Sequence, residues 1–85
     1  MEEQGLNIKT MERIIYIQLL DEGTKVYRPV PACEIENNIY EVGGFEIYNP
    51  EDEVWEFPPG TYVLVEAQNL DEENVLVAIK AQSPI

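Results

Sequence analysis

The stretch VWEFPPGTYVLVEAQ, residues 54–68, decides the fold class because it joins two strand patterns through a sharp corner. In its second part, TYVLVEAQ (61–68), apolar and polar side chains alternate. Alternate residues of a β-strand lie on the same face, so this part predicts a strand with Val63, Val65 and Ala67 facing inward.

The corner between the two strands has the residues of a type II turn. Proline presets φ at the first central position and glycine supplies the positive φ at the second, which matches Pro59 and Gly60. Before the corner, VWEF (54–57) alternates so that Trp55 and Phe57 lie together, and we predict that both join the core. Alternation over four residues is a weak guide, so a contact role for Trp55 stays open.

Further strand patterns lie on both sides of this stretch. RIIYIQLL (13–20) predicts a strand, and near the end of the chain VLVAIKA (75–81) predicts another. Their predicted inward residues are Ile15, Ile17 and Leu19 in the first and Val75, Val77 and Ile79 in the second.

The segments between these strands are shorter or interrupted. KVYRPVPACEIE (25–36) has an extended pattern, but Pro29 and Pro31 cannot donate ladder hydrogen bonds. We therefore expect this strand to lie at a sheet edge, to bend or to be interrupted. Two short strands, IYEV (39–42) and FEIY (45–48), follow the asparagine pair of the next turn.

These patterns predict an all-β domain. No stretch keeps apolar residues at helical spacing, whereas five to seven short antiparallel strands are separated by turn signals. A chain of 85 residues has room for one small core, which favours an SH3-like or, alternatively, an OB-like barrel. We predict a flexible N-terminal tail at 1–11, the barrel at 12–81 and a C-terminal tail at 82–85. Met11 could serve as an alternative translation start.

The charge of the chain limits its partners. Five Lys and Arg against seventeen Asp and Glu give a net charge of -12, which repels phosphate. We therefore predict no nucleic-acid or membrane partner, and expect a basic or proline-containing protein segment instead. The alternative is that the charge only maintains solubility. Cys33 is the single cysteine, which favours a reducing compartment, and we predict a cytoplasmic protein.

The residue inventory disfavours the common catalytic sites. Without histidine, neither a Ser-His-Asp nor a Cys-His arrangement can be assembled, and a zinc site lacks ligands. The carboxylates of Asp52 and Glu53, or of Asp71, Glu72 and Glu73, could act as acid and base or hold calcium, but the EF-hand spacing is missing. We predict no catalytic residue, no metal and no cofactor. A small carboxylate-based or metal-dependent enzyme remains the alternative.

The aromatic residues are the remaining candidates for function. Five tyrosines fall in predicted strands, several of them on the face opposite the presumed core. We predict a protein-interaction module with Trp55, Tyr62 and Tyr27 among its contact residues. In one alternative these rings only cover the ends of the barrel. In another, the chain is a structural subunit of a homo-oligomer.

Two segments carry a resemblance to known proteins. LLDEGTKVYRPV (19–30) and YNPEDEVWEFPPGTYV (48–63) resemble small uncharacterised bacterial proteins, which implies an SH3-like barrel over residues 13–80 and no transferable site residues. PPGTYVLV is also similar to the P-x-x-Y-V strand of SH3 domains, which implies a peptide groove of Pro58, Trp55 and Tyr62. The ALYDY-like opening and the tryptophan pair of SH3 domains are absent.

Overall fold

The structure, a computed structural model, describes residues 12–83, in which the chain forms six strands and no helix. The predicted all-β class is therefore confirmed. The tail predicted at 1–11 lies outside the described residues, as do residues 84 and 85. The strands are β1 Glu12–Leu20, β2 Val26–Glu36, β3 Ile39–Val42, β4 Val54–Trp55, β5 Tyr62–Leu70 and β6 Glu73–Ala81.

The six strands form one sheet that closes on itself. Its order is β2-β3-β5-β6-β1-β4, and β2 also pairs with β1, so five strands form a ring that leaves β4 as a short addition to β1. Each connection within the ring reverses the strand direction. The first and fifth strands of the ring therefore run the same way, and the pairing that closes it, β1 with β6, is parallel. The predicted antiparallel arrangement holds for every other strand pair of the described chain, and only this pair departs from it.

The interior of the ring contains the predicted inward residues of β1 together with the aromatic pair of the decisive stretch. Trp55 is 2% exposed and Phe57 is 9% exposed, which confirms their predicted place in the core. The buried cluster comprises Ile15, Ile17, Leu19, Val30, Ala32, Tyr40, Val42, Trp55, Phe57, Val63, Val65 and Ala78.

Strand β2 continues through its two prolines because it is locally an edge. It pairs with β1 over residues 26–33, but β3 covers its other side only from Ala32 onward. The carbonyl of Pro31 accepts a hydrogen bond from Gly43 N–H at 2.8 Å, so the backbone of Pro31 points away from β1. By strand alternation the backbone of Pro29 points the same way. The missing N–H groups thus fall on the side where β1 needs no donor.

The inward face of β6 differs from the prediction. Ala78 is in the buried core and Leu76 packs against it, whereas Val75 and Val77 lie on the outer face and Ile79 is exposed. A β-bulge shifts the register between the pairs Leu64–Lys80 and Val65–Ala78. Because a one-residue shift exchanges the two faces, the continuous apolar run of this strand did not define its orientation.

The segment after β3 forms turns where the sequence predicted a strand. The N–H groups of Ile47 and Tyr48 both donate to the carbonyl of Gly44, whose φ is +87°. Phe45 and Ile47 are consequently exposed and do not share a strand face. A second turn follows, in which the Asn49 side chain accepts from Glu51 N–H at 3.0 Å.

The predicted corner at Pro59 and Gly60 is a type II turn. Thr61 N–H donates to the carbonyl of Pro58, and Gly60 has a φ of +94°. Beyond the corner, Val63 and Val65 are buried as predicted. Ala67 is exposed, because β5 has by then passed the end of β3 and extends away from the core.

Candidate functional site

A cleft of about 470 Å³ lies between the two long hairpins of the molecule. One wall is the β1–β2 hairpin, which contributes the aromatic rings of Tyr16 and Tyr27. The other wall is the end of the β5–β6 hairpin. This volume is in the range of known ligand sites. The lining residues are Tyr16, Lys25, Val26, Tyr27, Asn69, Leu70, Asp71, Glu73 and Val75.

The second wall is a two-stranded arm that extends beyond the ring. Strand β3 pairs with β5 only over residues 62–64, and β1 pairs with β6 only at Val77. Within the described chain, residues 67–76, here called the β5–β6 arm, therefore pair only with each other in the sheet. The arm turns through Asp71 and Glu72, both at positive φ (50° and 69°), which is the backbone of a type I′ hairpin turn.

The floor of the cleft is apolar. Val77 is 3% exposed but lies on the outer face of β6, opposite Tyr16 of β1 and separate from the buried core cluster. Val75, two residues earlier on the same face, lines the cleft. A buried valine on the outer face indicates that the sheet bends outward at this seam, so that the outer faces of the two hairpins form a concave surface.

Polar groups line the cleft near the tip of the arm. Asp71 and Glu73 face it from the arm, and Lys25 faces it from the β1–β2 hairpin. All three are exposed. The carboxylates outnumber the ammonium group, as they do in the whole chain with its net charge of -12. The cleft therefore combines two tyrosine rings with a negative rim.

Trp55 does not belong to any surface groove. Its indole N–H donates to the Glu53 carboxylate at 3.1 Å, and its ring lies 4.6 Å from that of Tyr48 at a tilt of 56°. Gly44 lies against the opposite part of the indole, since an added Cβ would come within 3.1 Å of Trp55 Cη2. Trp55 is therefore a core residue, which corrects the prediction that it is a contact residue.

The predicted contact residues are not brought together. Tyr27 lines the cleft, whereas Pro58 and Tyr62 lie near the corner on a separate part of the surface, both exposed. With Trp55 buried, the groove implied by the SH3 resemblance does not form. Sequence reasoning missed Phe45, which is 70% exposed and lies next to Gly60. The sequence pattern predicted a strand at Phe45, whereas the residue lies in a turn, and this explains the omission.

An ion pair covers the end of the core near Trp55. Arg28 Nε lies 3.5 Å from Glu53 Oε1, the same oxygen that accepts from the indole. Both side chains are about one third exposed, so solvent screens the pair and its contribution to stability is small. Glu53 therefore contacts both Arg28 and Trp55 through one carboxylate oxygen.

Tyr40 carries the clearest electrostatic perturbation. Burial raises the pKa of its hydroxyl above the ordinary value of 10.0, and the carboxylate of Glu34 raises that pKa further. Arg13, which hydrogen-bonds to the hydroxyl, opposes both effects. Tyr40 belongs to the core, so this perturbation concerns stability and lies away from the cleft.

The carboxylates that the sequence singled out as possible acids, bases or metal ligands do not form a metal-binding group among the described residues. In residues 12–83 there is no group of three or more Cys, Asp or Glu side chains placed to hold a metal ion. Asp52, Asp71, Glu72 and Glu73 are exposed, and Glu53 is engaged by Trp55 and Arg28. No helical segment of the described chain has the length and apolar character that a membrane crossing requires.

Comparison of the chain with protein-family models, with curated proteins and with solved structures finds no match. The site therefore has to be interpreted from its own geometry.

Proposed function

We propose that this protein is a non-enzymatic interaction module that binds a basic protein segment in the cleft between its two hairpins. The observation that carries the proposal is the pairing of Tyr16 and Tyr27 on one wall with Asp71 and Glu73 on the other. Tyrosine rings attract cationic groups through their faces, and carboxylates pair with guanidinium or ammonium groups.

The architecture of the cleft supports a peptide ligand. Its volume of about 470 Å³ accommodates a few side chains, and its floor is apolar at Val75 and Val77. An extended basic segment with alternating apolar residues would place apolar groups on this floor and charges at the rim. Both walls are strands, which suits a ligand of extended backbone.

We also assign the closed five-strand ring to the SH3-like class of small barrels. Apart from the short β4, the strands of the ring follow one another in chain order, β1-β2-β3-β5-β6, which favours this class over the OB-like alternative. The single cysteine supports a cytoplasmic location, and the resemblance noted above suggests a bacterial source. The assignment of the cleft does not depend on these points.

The proposal is tested by calorimetric titration with a blocked eight-residue peptide of alternating arginine and valine. A peptide of alternating glutamate and valine serves as the ligand control. Tyr27→Ala should weaken binding of the basic peptide about tenfold, which corresponds to the loss of a stacked aromatic contact and a cation–π contact. Tyr62→Ala is the matched protein control, since Tyr62 is a partly exposed strand tyrosine outside the cleft.

Three results would count against the proposal. They are equal binding of the acidic and basic peptides, equal losses in the two tyrosine variants, or no binding of the basic peptide to the folded protein. Affinity should also fall as salt is raised from low to physiological concentration, because the rim charges are exposed and screened.

A further inference from the structure

The seam between β1 and β6 is open on one side of its single bridge. Tyr16 and Val77 are the one pair recorded between these strands within residues 12–83. Toward the chain start of both strands, neither has a partner across the seam among residues 12–83. The orientation of each backbone group at this opening follows from the hydrogen bonds around it.

On the β1 side, the backbone N–H and C=O of Ile14 point into the seam. Pro31 lies opposite Ile14, and its carbonyl accepts from Gly43 N–H on the side away from β1. The pair is therefore a non-hydrogen-bonded one, in which both backbones point outward. Further along β1, the carbonyl of Gln18 accepts from Glu56 N–H at 2.8 Å on this same outer side, as alternation requires.

On the β6 side, the backbone N–H and C=O of Asn74 point into the seam. The N–H of Val65 donates to the backbone carbonyl of Asn38, which lies on the side of β5 opposite β6. The backbone N–H and C=O of Val65 therefore point away from β6. The register from Val65–Ala78 to Asn69–Asn74 has no irregularity, which makes Asn69–Asn74 a non-hydrogen-bonded pair as well. The two side chains of this pair are hydrogen-bonded at 3.3 Å, as expected for the closely spaced pair type.

We propose that the basic segment binds as an added β-strand on the open edge of β6, pairing with the N–H and C=O of Asn74. This inference rests on the proposed function and specifies its binding mode. The residues flanking Asn74, Glu73 and Val75, both line the cleft, whereas no residue of the range 12–14 does. The β6 edge is therefore the edge that a ligand in the cleft reaches.

Charge selects the occupant of this edge. A second copy of the chain would bring its own acidic arm against Asp71, Glu72 and Glu73, and each copy carries a net charge of -12. Like charges opposite one another destabilise strand pairing, whereas arginine or lysine opposite Glu73 favours it. Main-chain hydrogen bonds then supply affinity, and Glu73 and Val75 supply selectivity for alternating basic and apolar residues.

The test uses Asn74→Pro with Asn74→Ala as its matched control, titrated with the arginine–valine peptide. Proline removes the free N–H without removing a bond to β5, and its φ restriction is tolerated at a strand edge. Alanine removes the same side chain but keeps the N–H. We expect about a tenfold loss of affinity for Asn74→Pro and less than about a threefold loss for Asn74→Ala.

A second measurement does not depend on the proline variant folding. In the wild-type protein, saturation with the peptide should slow hydrogen exchange of the Asn74 amide by about tenfold or more. Unchanged exchange at Asn74, full binding by Asn74→Pro, or equal losses in both variants would overturn the strand-addition mode. If these results occur while Tyr27→Ala still weakens peptide binding about tenfold and Tyr62→Ala does not, the proposed function survives. Absence of any peptide binding overturns both.

Discussion

Tyr16 and Val77 lie side by side at the parallel bridge that closes the ring, and together they mark the point where the sheet bends outward. Val77 is buried there on the outer face, away from the main core. This contact links the fold to the cleft, because it fixes where the β5–β6 arm separates from the β1–β2 hairpin.

Truncation of Val77 tests this link. Val77→Ala removes two buried carbon atoms and should lower the free energy of unfolding by about 1–2 kcal/mol. Val75→Ala, at the more exposed position on the same face, should cost less than half as much. Urea denaturation of both variants measures the difference. Equal effects would show that the seam is not packed at Val77.

Gly44 is predicted to be required for the packing of Trp55. Gly44→Ala places a Cβ about 3.1 Å from Trp55 Cη2 and forces an L-residue to φ +87°. Gly23→Ala is a matched control, with a similar φ of +79° and no atom within 4 Å. Backbone strain should cost both variants about 1 kcal/mol, and contact with the indole should add about 1–2 kcal/mol for Gly44→Ala.

Thermal denaturation followed by tryptophan fluorescence measures both glycine variants. Trp55 emission in the wild type should be blue-shifted and poorly quenched by iodide, as expected for a residue that is 2% exposed. Equal destabilisation of the two variants, or a readily quenched indole in the folded wild type, would contradict the packing described here.

A single substitution at the tip of the β5–β6 arm should raise the free energy of unfolding. Glu72 adopts φ 69° in a two-residue turn whose favoured residue at that position is glycine. Glu72→Gly should therefore raise the free energy of unfolding by about 0.5–1 kcal/mol. Glu73→Gly, one residue later in β6, should lower it, since glycine weakens a strand. Chemical denaturation of the two variants measures both free energies of unfolding. Stabilisation by both substitutions would rule out an effect specific to the turn.

The raised pKa of Tyr40 predicts that the protein loses stability at alkaline pH. Its pKa is raised in the folded state, so folding favours the neutral hydroxyl. The contribution is fully present below pH 10.0, the ordinary value, and is lost as pH rises through the higher folded pKa. Tyr40→Phe, which cannot ionise, should lose less stability than the wild type between pH 9 and 11. Identical pH profiles from urea denaturation would contradict the burial of this hydroxyl.

The sequence was sufficient for much of the fold but for only part of the site. The all-β class, the faces of β1 and the Pro59–Gly60 corner follow from local signals, namely alternation and turn chemistry. The orientation of β6 does not follow from local signals, because its apolar run allows either face of the strand to point inward. A bulge near Ile79 decides which face does. Long-range pairing sets that choice, and no local pattern encodes it.

The candidate site shows the same division. Tyr27 was singled out from the sequence and lines the cleft, but its partners there come from the distant arm. The cleft exists because β1 and β6 pair at one position and then diverge, which is a property of ring closure. Trp55 drew attention by its rarity, yet its neighbours Glu53, Tyr48 and Gly44 place it in the core.

The most direct test of the central claim is a map of amide shifts in ¹⁵N-labelled protein during titration with the arginine–valine peptide. Binding in the cleft predicts that the largest shifts fall on Tyr16, residues 25–27 and residues 69–75, with small changes at Phe45 and the Pro58–Tyr62 corner. Shifts concentrated at Phe45 and that corner, or no shifts at saturating peptide, would contradict the assignment of the cleft as the binding site.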